Sequence, residues 1–287
     1  MNRAIGVIIN SSKFGKEEET FIKISKKMSI PIIFFNASER ISYNKIKKKA
    51  KKCGIIYQNT SEAIALEIAK TLEFLGKRVV DPSKVVYNSE DKWMFYVLCK
   101  KNKIPVPKTI LLSDSINSVK KQLKYFDKWP VVLKRIFGER GTYVDLAKTP
   151  KEAMEKIKKL WKAGNERAPI IAQEYIKSNS YRITFIGNKI VQTAIKKSNG
   201  WKCTGCYAEN FGKFKIYPKL EKTIQKLIRI THIQVGGIDL LKKGNAWKLL
   251  EINSEPSFDF FECENEKIVE ELFIFLEKEA EKEKILL

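Results

Sequence analysis

The stretch "GGIDLLKKGNAWKLLEINSEP", Gly236 to Pro256, holds two apolar runs, each broken by an acid in its middle. Leu249, Leu250 and Ile252 read as a buried strand, yet Glu251 and Asn253 interrupt it. Side chains alternate faces along a strand, so Glu251 and Asn253 share one side. Asp239 raises the same problem inside "GIDLL". A carboxylate in such a place must be wet, paired or bound to a cation, because burying it alone is costly. The linking "KKGN" is a hairpin turn, and pairing about it brings Asp239 opposite Glu251 or its immediate neighbour. Two carboxylates and an amide oxygen then converge on one face. All three are hard donors, which outlines a Mg²⁺ site and not a zinc site.

The chain around this hairpin has 287 residues, 44% of them hydrophobic. That suffices for one large core or two to three small ones, and a folded soluble enzyme is the expected class. No apolar run approaches the roughly 18 to 20 residues of a membrane helix, so no membrane partner is expected. The N-terminal "AIGVIIN" is too short for a secretion signal and no small-residue cleavage site follows, so a cytoplasmic location is expected by default. Five scattered cysteines, an odd number, fit a reducing compartment. Charge is the outlier: 55 Lys+Arg against 33 Asp+Glu give a formal +22. This reads either as the Lys- and Ile-rich background of heat-adapted proteins or as a sign of an acidic partner. Nucleic acid is the disfavoured partner. The basic residues are spread along helices such as "NKIKKKAKKC", and no RNP, zinc-finger or helix-turn-helix signature is present.

Residues 1–88 alternate β-rich runs ("AIGVIIN", "IPIIFFNAS", "CGIIYQNT", "KRVVDP") with helical segments, the rhythm of a small parallel α/β unit. Thr60 or Ser61 is placed to cap its third helix and Gly76 to end it. A second unit, 89–172, opens with the helix "DKWMFYVLCKK", stopped by Pro105 and Pro107. It continues through "PVVLKRI", a glycine turn, "TYVDLA" and a helix begun by Thr149 and Pro150. A third, 173–287, holds "RITFI" and "KIVQTAI" about a "GN" turn, the helix "PKLEKTIQKLIRITHI", the acid-bearing hairpin and an amphipathic C-terminal helix.

In "PVVLKRIFGERGTYV" a strand delivers Lys134 to a turn bracketed by Gly138 and Gly141. Glycines allow close backbone approach, successive N–H groups can bind phosphate oxygens, and Lys134 adds a cation. It is no Walker loop, because no Gly-Lys-[Ser/Thr] precedes a helix.

The order of these parts carries more than any one of them. Lys92 at a helix start is followed by Lys134 with its glycine turn, "QEYI" at 173–176, Arg182, Asp239 and "EIN". This series resembles the ATP-grasp superfamily, most closely its RimK-like glutamate-ligase branch, over about residues 88–265. The resemblance implies an α/β ATP-grasp fold behind an N-terminal parallel α/β domain, and a carboxylate–amine ligase using ATP and Mg²⁺, with Mn²⁺ as a substitute. ATP would phosphorylate a carboxylate and an amine would attack the acylphosphate. It further implies that Lys92 and Lys134 contact ATP phosphates, with Gly138, Glu139, Arg140 and Gly141 as the lid over them. Gln173, Glu174, Tyr175 and Ile176 would form the hinge, with Glu174 and the backbone around Tyr175 and Ile176 reading adenine. Asp239, Glu251 and Asn253 would hold Mg²⁺, and Arg182 and Lys202 would face the developing negative charge. The substrates implied are an amino acid, glutamate favoured, and an acidic acceptor on a cofactor, peptide or carrier protein. An amino-group carrier or dipeptide ligase, a non-catalytic basic nucleotide- or RNA-binding module and a homo-oligomer stay open.

The chain departs from the family pattern at Ser180, where an acid for the ribose is usual, and in "WKCTGCYAEN". There Lys202 and Thr204 stand in for an Arg-x-Asn pair, with Asn210 as a displaced amide. Cys203 and Cys206 invite a zinc or redox reading, but zinc needs two more ligands and only Cys263 and the lone His232 are available. A metal or redox role is disfavoured for both cysteines, whose role stays open, and His232 is read as structural.

Overall fold

The computed structural model describes residues 3–138, 141–163, 168–202 and 208–285. Its first sheet is built from β1 (Ala4–Ile9), β2 (Ile32–Asn36), β3 (Cys53–Gln58) and β4 (Val79–Val80), all parallel in the order β2-β1-β3-β4. Helices α1 (Lys16–Met28), α2 (Tyr43–Ala50) and α3 (Ala63–Phe74) supply the crossovers. Coverage on both faces explains why β1 is apolar throughout and buried at all six positions. Gly76, at φ 73°, ends α3 as expected. The expected cap differs: Glu62 is the N-cap residue of α3, and Ser61 instead donates its N–H and hydroxyl to Glu255.

A helix that the sequence pattern does not announce, α4 (Ser83–Glu90), precedes α5 (Lys92–Lys101). Asp91 separates them, its carboxylate accepting from the N–H groups of Trp93 and Met94, so Lys92 is the first residue of α5. The second sheet is antiparallel, ordered β5-β8-β6-β7. Its strands are β5 (Thr109–Leu111), β6 (Val131–Arg135), β7 (Val144–Ala147) and β8 (Ile170–Glu174), with α6 (Ile116–Gln122) and α7 (Pro150–Lys162) packed on it. Thr149 caps α7 and Pro150 opens it, as the sequence predicts.

The third sheet runs β11-β10-β9-β12-β13, also antiparallel. It comprises β9 (Ser180–Ile186), β10 (Lys189–Lys197), β11 (Asn210–Gly212), β12 (Val235–Lys243) and β13 (Ala246–Asn253), with α8 (Pro218–Thr231) against it. The final helix, α9 (Glu262–Ile285), leaves this sheet and packs on the first one. Ile268, Val269, Leu272, Phe273 and Leu276 share a core with Ile5, Val7, Ile9, Phe21 and Tyr57. Among the described residues no helix is long and apolar enough to cross a membrane.

Candidate active site

The hairpin of β12 and β13 sets Asp239 opposite Glu251 and Gly237 opposite Asn253. From the turn, pairing proceeds regularly from Lys243–Ala246 to Leu240–Leu249, and regular continuation would set Asp239 against Leu250. A register shift between Asp239 and Leu240 skips Leu250 and puts Glu251 there instead. This one-residue bulge lets Leu249 and Ile252 stay in the core while the acids and Asn253 face the other way.

Beside β12, β9 places Arg182 opposite Asp239. The guanidinium grips the carboxylate with two parallel bonds, Nε to Oδ1 at 2.8 Å and Nη2 to Oδ2 at 2.9 Å. Gly237 makes the approach feasible: a Cβ there would lie 2.1 Å from Arg182 Nη1. On β10, Lys196 is opposite Ser180 and sends its Nζ to Asp239 Oδ1 at 2.7 Å. Lys196, only 1% exposed, is the site residue that the sequence reading missed. Its signal was available, since it alternates with Gln192 and Ala194 on the buried face of β10. Burial alone would raise the Asp239 pKa, but Arg182 and Lys196 outweigh it and hold the carboxyl well below its ordinary range.

Lys134 on β6 is half-buried, and its side chain makes no hydrogen bond among the described residues. Burial lowers its pKa, Glu251 and Asp239 oppose that, and Lys92 adds to it. Lys92 Nζ lies 4.0 Å from Glu251 Oε2 and donates to the Gly138 carbonyl at 2.8 Å. Lys202 Nζ donates to the Gly141 carbonyl at 3.0 Å. Two lysines thus hold the two flanks of the glycine turn, whose Gly138 and Gly141 sit at φ 129° and 68°. Glu139 and Arg140, expected in the lid, lie outside the described residues, as do Thr204, Cys203 and Cys206.

The hinge residues lie at the end of β8. The buried Gln173 donates its amide N–H to Thr109 Oγ1 at 3.0 Å. Glu174 pairs with Lys243 and accepts from the Lys108 N–H at 3.2 Å. Burial would raise its pKa, but Lys243 and the Lys108 N–H prevail and lower it. The Glu174 carboxylate is therefore tied to protein partners, and Tyr175 and the buried Ile176 follow it into the connection to β9. Ser180 is buried opposite Lys196 and Leu241.

Two hard donors, Glu251 and Asn253, are half-buried on the face that carries Asp239. A carboxylate has about four lone-pair positions. Arg182 and Lys196 occupy both on Oδ1 of Asp239 and one on Oδ2, leaving one on Oδ2. The donor set therefore fits a hard dication shared between Glu251, Asn253 and that oxygen. Among the described residues no group of three or more His, Cys, Asp or Glu is arranged for a metal. Around the two acids stand Lys92, Lys134, Arg182 and Lys196. Positive charge is in excess, which suits a polyanion such as a nucleotide phosphate.

The sequence matches the RimK-like ATP-grasp domain family over residues 89–272. The coenzyme gamma-F420-2:alpha-L-glutamate ligase of Methanocaldococcus jannaschii is 28% identical over 208 residues, 71% of this chain and 72% of that one. A probable alpha-L-glutamate ligase of Psychromonas ingrahamii is 30% identical over 226 residues, 75% of this chain and 72% of that one. In structure, a RimK domain ATP-grasp protein from Sphaerobacter thermophilus superposes with a TM-score of 0.74 at 14% identity, covering 94% of this chain and 98% of that one.

Proposed function

Because the chain belongs to the RimK-like ATP-grasp family, and is a ligase of carbon–nitrogen bonds, we propose that it joins an amino acid, glutamate first, to a substrate carboxylate through an acylphosphate made with ATP. The observation that carries this reading is the Arg182–Asp239–Lys196 network beside Glu251, faced by Lys92 and Lys134. Phosphoryl transfer asks the protein for positioning and for neutral surroundings around phosphate oxygens.

In the first step a carboxylate oxygen attacks the γ-phosphorus and ADP leaves. Lys92 and Lys134 orient the phosphates, and Arg182, held rigidly by Asp239, presents its remaining N–H groups to the charge that develops. Glu251, Asn253 and Asp239 Oδ2 would hold Mg²⁺, which would supply positive charge to neutralise the phosphates. In the second step the amine nitrogen attacks the acyl carbon, phosphate leaves, and the nitrogen gives up a proton. Lys92 and Lys202 keep the glycine turn against the site and restrict water, to which an acylphosphate is vulnerable. The formal +22 of the chain favours an acidic acceptor on a cofactor, peptide or carrier protein.

The test is phosphate release from ATP and Mg²⁺ across a panel of amino acids and acidic acceptors. Release that needs one amino acid and one acceptor together is the expected result. ATP consumption indifferent to both would overturn the reading.

A further inference from the structure

The site face of the third sheet carries two phenylalanines that phosphoryl transfer does not call for. On the edge strand β11, Phe211 is paired directly opposite Lys196 of β10. Directly opposed residues project from one face of a sheet, so Phe211 stands on the face where Lys196 reaches Asp239. Phe260, from the segment between β13 and α9, meets Phe211 at a centroid distance of 5.3 Å and an interplanar angle of 60°. The same Phe260 centroid lies 6.0 Å from the Arg182 guanidinium carbon. The pair forms an aromatic wall that begins at Arg182 and runs to the edge of the sheet.

This wall is not part of the interior. Among the described residues neither phenylalanine belongs to any of the four apolar cores. Phe211 is 39% exposed and Phe260 half-buried, so both keep ring surface open beside a charged site. Open apolar surface in such a place suits a ligand with apolar surface of its own. The two ends of the wall differ in charge. At the inner end Arg182 and Lys196 share the single acid Asp239, which leaves one positive charge in excess. Arg182 also keeps guanidinium N–H groups beyond the two given to Asp239. At the outer end Lys213, two residues after Phe211, lies 5.2 Å from the Phe261 ring and is balanced by its ion pair with Glu264. A cationic end followed by a neutral aromatic stretch is complementary to a carboxylate carried on a flat ring.

We propose that the carboxylate to be phosphorylated belongs to an aromatic acid, with its carboxylate at Arg182 and its ring against Phe260 and Phe211. The assignment rests on the ligase reading above and narrows the acceptor to acids whose carboxyl group sits on or next to a planar unsaturated ring. With the two phenylalanines tilted by 60°, a ligand ring stacked on one meets the other by its edge. Both arrangements are favourable between aromatic rings. A saturated ring of the same size and charge lacks the quadrupole and gains only burial, so the wall sorts the two.

Two measurements on the full chain test this. In the first, thermal unfolding with ADP and Mg²⁺ present is followed against benzoate and against cyclohexanecarboxylate, which has the charge and size without the aromatic ring. Benzoate is expected to bind with a Kd about two- to tenfold lower, the range for an aromatic pair. The double variant Phe211→Leu with Phe260→Leu keeps apolar bulk, and it is expected to bring the two acids level. Phe211→Tyr is expected to keep the preference. Equal affinities in the wild type, or a preference kept in the double variant, overturn the proposal. Competition between benzoate and ADP also overturns it, because the wall would then belong to the nucleotide. In the second, phosphate release from ATP compares aromatic acids with their saturated counterparts as acceptors. The wild type is expected to favour the aromatic acid in kcat/KM by a similar factor, and the double variant to lose that preference. A double variant that slows both acids alike and keeps the preference assigns the rings to shielding the site from water, which overturns the proposal while the ligase reading stands. If the wild type releases no phosphate with any acid, the ligase reading falls and the benzoate comparison decides the wall alone. Phe211→Leu by itself, at an exposed strand edge, serves if the double variant does not fold.

Discussion

Asp239 and Glu17 are both carboxylates withdrawn from water, and their surroundings treat them in opposite ways. Asp239 meets an arginine and a lysine and is held ionised far below its ordinary range. Glu17 meets an amide and two further acids, and its carboxyl rises to about 7. The first arrangement carries its countercharges within the protein, so its charges are fixed in place before any ligand arrives. The second has no cation among its described partners, so its proton is held more tightly. Compensation of buried charge, more than the identity of the acid, separates a fixed anion from one that holds its proton.

The largest effect expected on breaking the rigid side is from Glu251→Ala, which removes a carboxylate from the proposed Mg²⁺ donors. Turnover should fall by about a thousandfold or more, with circular dichroism and Tm near wild type. Lys134→Ala should be comparable or somewhat milder, on the order of a hundredfold in kcat, because Lys92 still faces the phosphates. Full activity in either variant would remove that residue from the site.

Asp239→Asn tests the scaffold through stability. It leaves Arg182 and Lys196 buried without their acid, and breaking such a pair costs about 3 to 5 kcal/mol. Chemical denaturation should show the midpoint falling at unchanged slope. A loss below about 1 kcal/mol would show that the network is weakly held.

The smallest effect sharpens the contrast through pH. The Glu17 pKa is raised from 4.5 to about 7 in the folded chain, so the folded state binds its proton more tightly. The stability it contributes is fully present below about pH 4.5 and is lost as pH rises toward 7. Asp239 has the opposite sign: its contribution is present above the ordinary 3.8 and is lost as pH falls through its depressed value. Glu17→Gln should therefore flatten the stability profile between pH 4.5 and 7, by at most about 3 kcal/mol, and Asp239→Asn should flatten only the acid limb. Unfolding curves at stepped pH distinguish the two.

Much of the third sheet was legible because its signals are local. Alternation placed Asp239, Glu251 and Asn253 on one face, and "KKGN" fixed the turn to within the one-residue ambiguity that the bulge at Leu250 resolves. Thr149, Pro150 and Gly76 likewise act within a turn of their own helices. What escaped was set by distant neighbours. Ser61 reads as a cap, but Glu255, far along the chain, engages it instead. Lys196 alternates with buried neighbours, yet its partner Asp239 lies two strands away and is met only through the sheet order. The double glycine before Ile238 gives no hint in sequence that Arg182 must cross Gly237.

The packing of α9 on the first sheet has a consequence for how the molecule comes into being. Two complete sheets are synthesised between β1 and the helix that covers it, so that first apolar surface stays open throughout synthesis of the catalytic part. Closing such a long loop is slow compared with local pairing, and exposed apolar strands are aggregation-prone while they wait. The cationic helices spread along the chain, α2 above all, give the half-made protein a strong charge of one sign. The same excess of lysine that suits an acidic acceptor thus keeps growing chains apart until their last helix arrives.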